Sequence, residues 1–253
     1  MADAPRRVLV TGGARGLGAA IVRALAGAGH DVTFTYRSSA AEAETLVATL
    51  AAAYQGRAFA TLQADLADKS AVDGLADKIG SGAPYSGFVH NAGETYDALA
   101  VMLDQDKAER TMQVNFWSFT RLAAAIARPM TRARDGRIVA VGSITALYGN
   151  QGNAAYAASK AALLGYLRTL AIETARRGVT VNYVAPGFVD TDMMAPYAAY
   201  RETMEKQIPA GRFAKPDDVA ALVAFLMSPG AAYITGAVLP VDGGLSAAIG
   251  IHR

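Results

Sequence analysis

The segment Tyr156-Ala157-Ala158-Ser159-Lys160 sets a phenol and an amine four residues apart. On a helix that spacing puts both on one face. An ammonium held beside a phenol stabilises the phenolate and lowers a pKa that is about 10 when free. A drop of ~3 units corresponds to ~4 kcal/mol and makes the tyrosine a usable acid or base at neutral pH. Ser143 lies thirteen residues earlier, after the apolar run Arg137–Val141 and Gly142. That places it at the carboxyl end of a strand, where open α/β sheets bind ligands. A serine there either faces a ligand or caps a turn.

A second constellation is Thr11-Gly12-Gly13-Ala14-Arg15-Gly16-Leu17-Gly18, straight after the apolar run Val8-Leu9-Val10. Glycines in a strand-to-helix turn let the backbone approach a pyrophosphate, and the helix N-terminus offers free N–H groups. Gly12, Arg15, Gly16, Leu17 and Gly18 are thus candidates for dinucleotide contact. The next strand ends Thr35-Tyr36-Arg37-Ser38-Ser39, with no Asp or Glu to hold a ribose 2′-hydroxyl. Arg37, helped by Arg15, suits the 2′-phosphate of NADP instead. Asp65-Leu66 follows the third strand, where the carboxylate meets an adenine amino group or caps the following helix.

These residues need a scaffold, and the chain alternates short β-rich runs with helical stretches. The expected strands are Val8–Val10, Asp31–Tyr36, Phe59–Gln63, Gly87–His90, Arg137–Val141, Val179–Val184 and Ala237–Val241. The helices between them are Ala19–Gly27, Ala40–Ala53, Ser70–Ile79, Lys107–Arg128, Ala154–Arg176 and Asp217–Met227. This pattern predicts a single-domain, doubly wound seven-stranded parallel sheet of the Rossmann type, with helices on both faces. Strands buried on both sides read as continuous apolar runs. That helps explain 52% hydrophobic against 18% charged residues in a chain of 253.

Composition also excludes. With no cysteine, thiolate metal sites, disulfides and cysteine nucleophiles are ruled out. His30, His90 and His252 show no metal-ligand spacing, so no metal is expected. A net charge of +2 gives no argument for nucleic acid. Val219–Val241 has no charged residue, but Ser228-Pro229-Gly230 break it, so two elements joined by a turn are expected rather than a membrane span. The run after Arg6-Arg7 is too short for a signal peptide, and a cytoplasmic location is expected.

Taken in order, the glycine turn, His90-Asn91-Ala92-Gly93, Asn115, Ser143, Tyr156-x-x-x-Lys160 and Pro186-Gly187 resemble the short-chain dehydrogenase/reductase family over essentially the whole chain. Within it, Gly136-Arg137-Ile138, Ala185–Met193 and Ala232–Gly236 look like the 3-oxoacyl-[acyl-carrier-protein] reductases. The resemblance implies that Tyr156 is the general acid and that Ser143 donates to the same substrate oxygen. It implies that Lys160 lowers the tyrosine pKa and holds the nicotinamide ribose. Asn115 would position a water in a proton relay, or simply brace its helix. Asn91, Ala92 and Gly93 would line the cofactor, and Pro186, Gly187 and Thr191 would contact its nicotinamide end. One departure is visible: the family's paired asparagines are here His90-Asn91, with His90 read as a packed residue.

The resemblance further implies a mobile substrate lid over about 188–212 and a homotetramer built on the long helices. Arg134 and Arg177 match positions where such reductases present basic residues to the acyl carrier protein. The implied activity is NADPH-dependent reduction of a 3-oxoacyl thioester. The alternatives are the same chemistry on a free ketone, sugar or steroid, and an NADP-binding regulator without catalysis.

Overall fold

The computed structural model describes residues 5–248. Seven strands form one parallel sheet in the order β3-β2-β1-β4-β5-β6-β7. They are β1 (Arg7–Thr11), β2 (Asp31–Tyr36), β3 (Phe59–Gln63), β4 (Gly87–His90), β5 (Gly136–Val141), β6 (Val179–Pro186) and β7 (Val238–Val241). Three match the expected bounds to the residue. The sheet's other four gain or lose residues only at their ends. Parallel pairing requires crossovers, and helices provide them: α1 (Gly16–Gly27), α2 (Ala40–Ala53), α3 (Lys69–Ser81), α4 (Gln105–Met112), α5 (Ser118–Ala133), α6 (Ala154–Thr174), α7 (Arg201–Gln207) and α8 (Pro216–Met227).

Side-chain alternation along each strand divides the core in two. Leu9, Phe88, Ile138 and Val181 point to a layer with α3, α5 and α6. Val8, Val10, Val89 and Val139 point to a layer with α1, α2 and α8. Both faces of β5 and β6 are buried along their full length. This accounts for the apolar composition, and no helix among the described residues is long and apolar enough to cross a membrane. The uncharged run 219–241 is α8, a short 3-10 turn at Pro229–Ala231 and β7.

The stretch expected as one helix over Lys107–Arg128 is α4 and α5 joined by a π turn, Gln113–Trp117. The Ser118 N–H reaches the Gln113 carbonyl, five residues back. A π turn inserts one residue into the helical repeat, which a 3.6-residue pattern cannot reveal. Asn115 sits in the middle of it.

Candidate active site

The winding of the sheet reverses between β1 and β4, and a crevice opens beyond the carboxyl ends of the strands there. The cleft at this point has a volume of ≈ 1280 Å³. That exceeds the usual span of small-molecule sites and leaves room for a dinucleotide plus a substrate. Every residue proposed for catalysis except Asn115 lines it, as do all those proposed for the cofactor.

The glycine turn is held from two sides. Thr35 of β2 accepts the N–H groups of Gly12 (Oγ1, 3.0 Å) and Gly13 (carbonyl, 2.9 Å). Asn91 Nδ2 donates to the Gly12 carbonyl at 3.0 Å. Gly12 has φ +67, and a Cβ at Gly18 would lie 1.9 Å from the Gly12 oxygen. No other residue type fits at Gly18 without moving the turn. Arg15, the residue before α1, supplies no side-chain cap, and the first turn carries no acid. The helix thus presents open N–H groups and an unopposed positive end to the cleft. Arg15 and Arg37 are exposed at its rim and form no ion pair among the described residues. Asp65 is not the cap of α3; Asp68 is, accepting from Ser70 N at 2.8 Å. Asp65 closes its own small turn on Ala67 N (3.0 Å) and faces the cleft. The cradle, the free helix end and the two guanidinium groups fit a phosphorylated dinucleotide.

Across the cleft, Ser143 begins a short 3-10 turn after β5 and its side chain is buried. Its Oγ accepts from Thr145 N (3.1 Å) and Thr145 Oγ1 (2.9 Å). With both of these accepted, the hydroxyl hydrogen is free to donate outward into the cleft. The Tyr183 hydroxyl pins the turn from below, accepting from Ser143 N at 3.0 Å. In the sequence Tyr183 stands only within the strand Val179–Val184; a tyrosine inside an apolar buried run is the available signal, because its hydroxyl needs a partner.

Tyr156 and Lys160 share one face of α6, but the expected depression of the tyrosine pKa is absent. Burial pushes the Tyr156 phenol up to about 12; hydrogen bonding with Ser143 opposes this, and the Asp97 carboxylate adds to it. Lys160 Nζ donates to the Val141 carbonyl at 2.9 Å and lies 5.8 Å from the centre of the Tyr156 ring. Desolvation is the largest influence on the phenol. Burial likewise lowers Lys160 to about 8. At neutral pH the phenol is therefore a protonated acid beside a charged amine.

Asn115 is fully buried behind this pair. Its amide accepts from Glu94 N (2.9 Å) and donates to Glu94 O (3.0 Å) and Ser159 Oγ (2.9 Å). The side chain thus braces the loop after Gly93 against α6. Pro186 and Gly187 close β6, and a Cβ on Gly187 would press on Asp242 at 2.9 Å. Thr191 packs near Gly16. The segment expected as a lid forms a 3-10 helix (Asp192–Tyr200) and α7. Its base is fixed by Arg201, which pairs with both oxygens of Asp190 at 2.9 Å. Its Tyr197 hydroxyl donates to Asp97, which also accepts from Asn153 Nδ2 at 2.6 Å. Asp97 and Asn153 went unnoticed in the sequence, since neither belongs to a spaced motif.

Arg134 and Arg177 do not join the cleft. Arg134 follows α5 and Arg177 precedes β6, at the amino-terminal edge of the sheet. Arg134 Nη2 donates to the Arg176 carbonyl at 3.1 Å, so the two ends lie together. The length of β5 separates them from Ser143, roughly 20 Å at ~3.3 Å per residue. Among the described residues no group of three or more His, Asp or Glu could hold a metal ion; His252 lies outside them.

A Ser–Tyr–Lys set facing a glycine-rich dinucleotide cradle, on this sheet order, defines a nucleotide-dependent oxidoreductase. The chain belongs to the short-chain dehydrogenase/reductase family: a model of that family described as enoyl-(acyl carrier protein) reductase matches residues 12–246. More particularly, it is 43% identical over 240 residues to the 3-oxoacyl-[acyl-carrier-protein] reductase FabG of Pseudomonas aeruginosa, covering 94% of this chain and 96% of that protein. It is 38% identical over 242 residues to the 3-oxoacyl-[acyl-carrier-protein] reductase MabA of Mycobacterium tuberculosis, covering 95% and 92%. Two solved structures are also similar. One is a blue fluorescent protein from a metagenomic library in complex with NADPH (TM-score 0.88, 38% identity, 95% of this chain and 98% of that one). The other is a putative NAD(P)-dependent gluconate 5-dehydrogenase from Beutenbergia cavernae with bound NADP (TM-score 0.91, 35% identity, 97% and 98%).

Proposed function

We propose that this protein reduces the ketone of a 3-oxoacyl thioester to the 3-hydroxyacyl thioester, with NADPH as reductant. The observation that carries the reading is the pair of oxygen-directed donors, Ser143 with its hydrogen free to donate into the cleft and Tyr156 held protonated. Bound NADPH supplies the hydride. Gly12, Gly16, Leu17, Gly18, Asp65, Leu66 and Asn91–Gly93 hold the dinucleotide, and Arg15 and Arg37 take its 2′-phosphate. Ser143 donates to the ketone oxygen and orients it. Tyr156 transfers its proton to that oxygen as negative charge develops. Lys160, charged below about pH 8, stabilises the phenolate left behind. Segment 188–212 closes over the substrate, with Tyr197 latching to Asp97, and shields this proton transfer from bulk water.

The acyl group is carried by acyl carrier protein. The names of the curated relatives support this, as do Arg134 and Arg177. These arginines lie far from their own cleft, so a carrier docked on them serves the cleft of another subunit in a homotetramer. Exposed Trp117 and Ile172, on the face of the π turn and α6, suit subunit contacts. The test is a substrate panel with NADPH: 3-oxoacyl groups on carrier protein, on a small thioester, and free ketones. Arg134→Glu/Arg177→Glu should slow only the carrier-bound substrate. Equal rates for variant and wild type on that substrate would remove the carrier from the proposal. Faster turnover of a free sugar or steroid ketone would replace the thioester.

A further inference from the structure

We propose that His90, the residue standing where the family has asparagine, is a positioning residue locked as the Nε2–H tautomer, joining the cofactor turn to the π turn behind the catalytic helix. The deduction starts from Thr11. Its Oγ1 accepts the backbone N–H groups of Asn91 and Ala92, both at 3.1 Å. With both lone pairs engaged, its own hydrogen must go to the remaining neighbour, His90 Nδ1 at 3.0 Å. Nδ1 is therefore an acceptor, and the imidazole proton resides on Nε2. That nitrogen lies 3.2 Å from the Asn115 carbonyl and donates to it.

The partner carbonyl belongs to the π turn, where helical pairing is displaced. Ser118 N bonds Gln113 rather than Val114, and the Ser118 hydroxyl takes the Val114 carbonyl instead, at 2.7 Å. His90 serves the next carbonyl along. The ring is fully buried, 5.2 Å from the Phe119 ring centre, which leaves it little freedom to turn. Burial and the Lys160 ammonium lower its pKa to about 3, so it stays neutral throughout the working range. The bridge thus couples two parts that must agree in space. One is the Asn91-Ala92 turn at the cofactor. The other is Asn115, whose amide braces Glu94 and Ser159 one residue from Lys160.

This inference rests on the ketone-reduction reading for its kinetic arm only. The first measurement is long-range 1H–15N correlation on the wild-type protein, with His90→Asn used for assignment. The expected result is a protonated Nε2 and a bare Nδ1, unchanged from pH 8 to pH 5.5. A protonated Nδ1, or titration near pH 6.5, overturns the proposal whatever the substrate. The second measurement is kinetic. In His90→Asn the amide oxygen can replace Nδ1 at Thr11, but nothing reaches Asn115. In His90→Gln the amide nitrogen can replace Nε2. His90→Asn should lower kcat roughly 3- to 10-fold, the worth of one buried hydrogen bond, with the Kd for NADPH little changed. His90→Gln should recover most of that loss. Unchanged kcat in His90→Asn, or a loss explained wholly by weaker NADPH binding, contradicts a positioning role.

Discussion

Adding one methyl group at Gly18 should damage both stability and cofactor binding, whereas the same change elsewhere should help. A Cβ at Gly18 would sit 1.9 Å from the Gly12 carbonyl oxygen and 2.7 Å from Asn91 Nδ2. Relieving the first contact to 3.0 Å takes a shift of about 1.1 Å (3.0 − 1.9), and the obstructing atom is backbone. Overpacking of this kind costs about 1–3 kcal/mol, and a rigid obstacle places Gly18→Ala near the upper end. At about 2–4 °C per kcal/mol for a chain of this size, Tm should drop by roughly 4–12 °C. The same shift moves the free N–H groups at the start of α1, so the Kd for NADPH should rise at least about 10-fold. Gly74 in α3 is the control: nothing lies within 4 Å of its Cβ position. There the helix gains about 1 kcal/mol from alanine, and Tm should rise by a few degrees. Thermal unfolding with fluorescence titration of NADPH reads both variants. If Gly18→Ala melts within 1 °C of wild type and binds NADPH equally well, the tight cradle is wrong.

Four further outcomes follow from the site. Lys160 alone titrates near pH 8 in the catalytic pair, while Tyr156 stays protonated to about 12. Log kcat/KM for reduction should be flat below pH 8 and decline above it; a profile flat to pH 10 would deny the ammonium a role. Burial of that ammonium also costs stability below about pH 8, a penalty relieved as pH rises toward 10.5, the unfolded value. Arg37→Ala should raise KM for NADPH roughly 10- to 100-fold and leave NADH almost unaffected, since a charge-assisted bond to phosphate contributes about 1.5–3 kcal/mol; equal effects on both cofactors would remove Arg37 from the 2′-phosphate. Tyr197→Phe deletes the latch to exposed Asp97 and should raise the substrate KM about 2- to 5-fold with kcat little changed; steady-state kinetics checks this, and an unchanged KM would refute the latch.

Much of the fold was legible because its signals are local. β2, β3 and β4 are apolar or β-branched runs bounded by turn residues, and their limits match to the residue. The placement of Ser143, Tyr156 and Lys160 followed from a strand end and a four-residue helical spacing. What stayed hidden depends on more than one segment. The π turn at Gln113–Trp117 adds a residue that hydrophobic periodicity averages away. His90 looks like packing until the hydroxyl of Thr11, 79 positions earlier, is counted bond by bond. The rise of the Tyr156 pKa reflects burial in the folded chain, which the pairing of Tyr with Lys does not express. The position of Arg134 and Arg177 was available in principle. Each lies two residues before a strand, and in a parallel sheet that edge lies opposite the site.

The most direct test of the central claim is NADPH oxidation with a 3-oxoacyl thioester, comparing wild type with Tyr156→Phe. The phenyl ring preserves the packing of α6 and removes only the proton donor. The account predicts measurable 3-hydroxyacyl product with the wild type and a loss of at least about 100-fold in kcat for Tyr156→Phe, with NADPH binding retained. Equal turnover by the two proteins would contradict it.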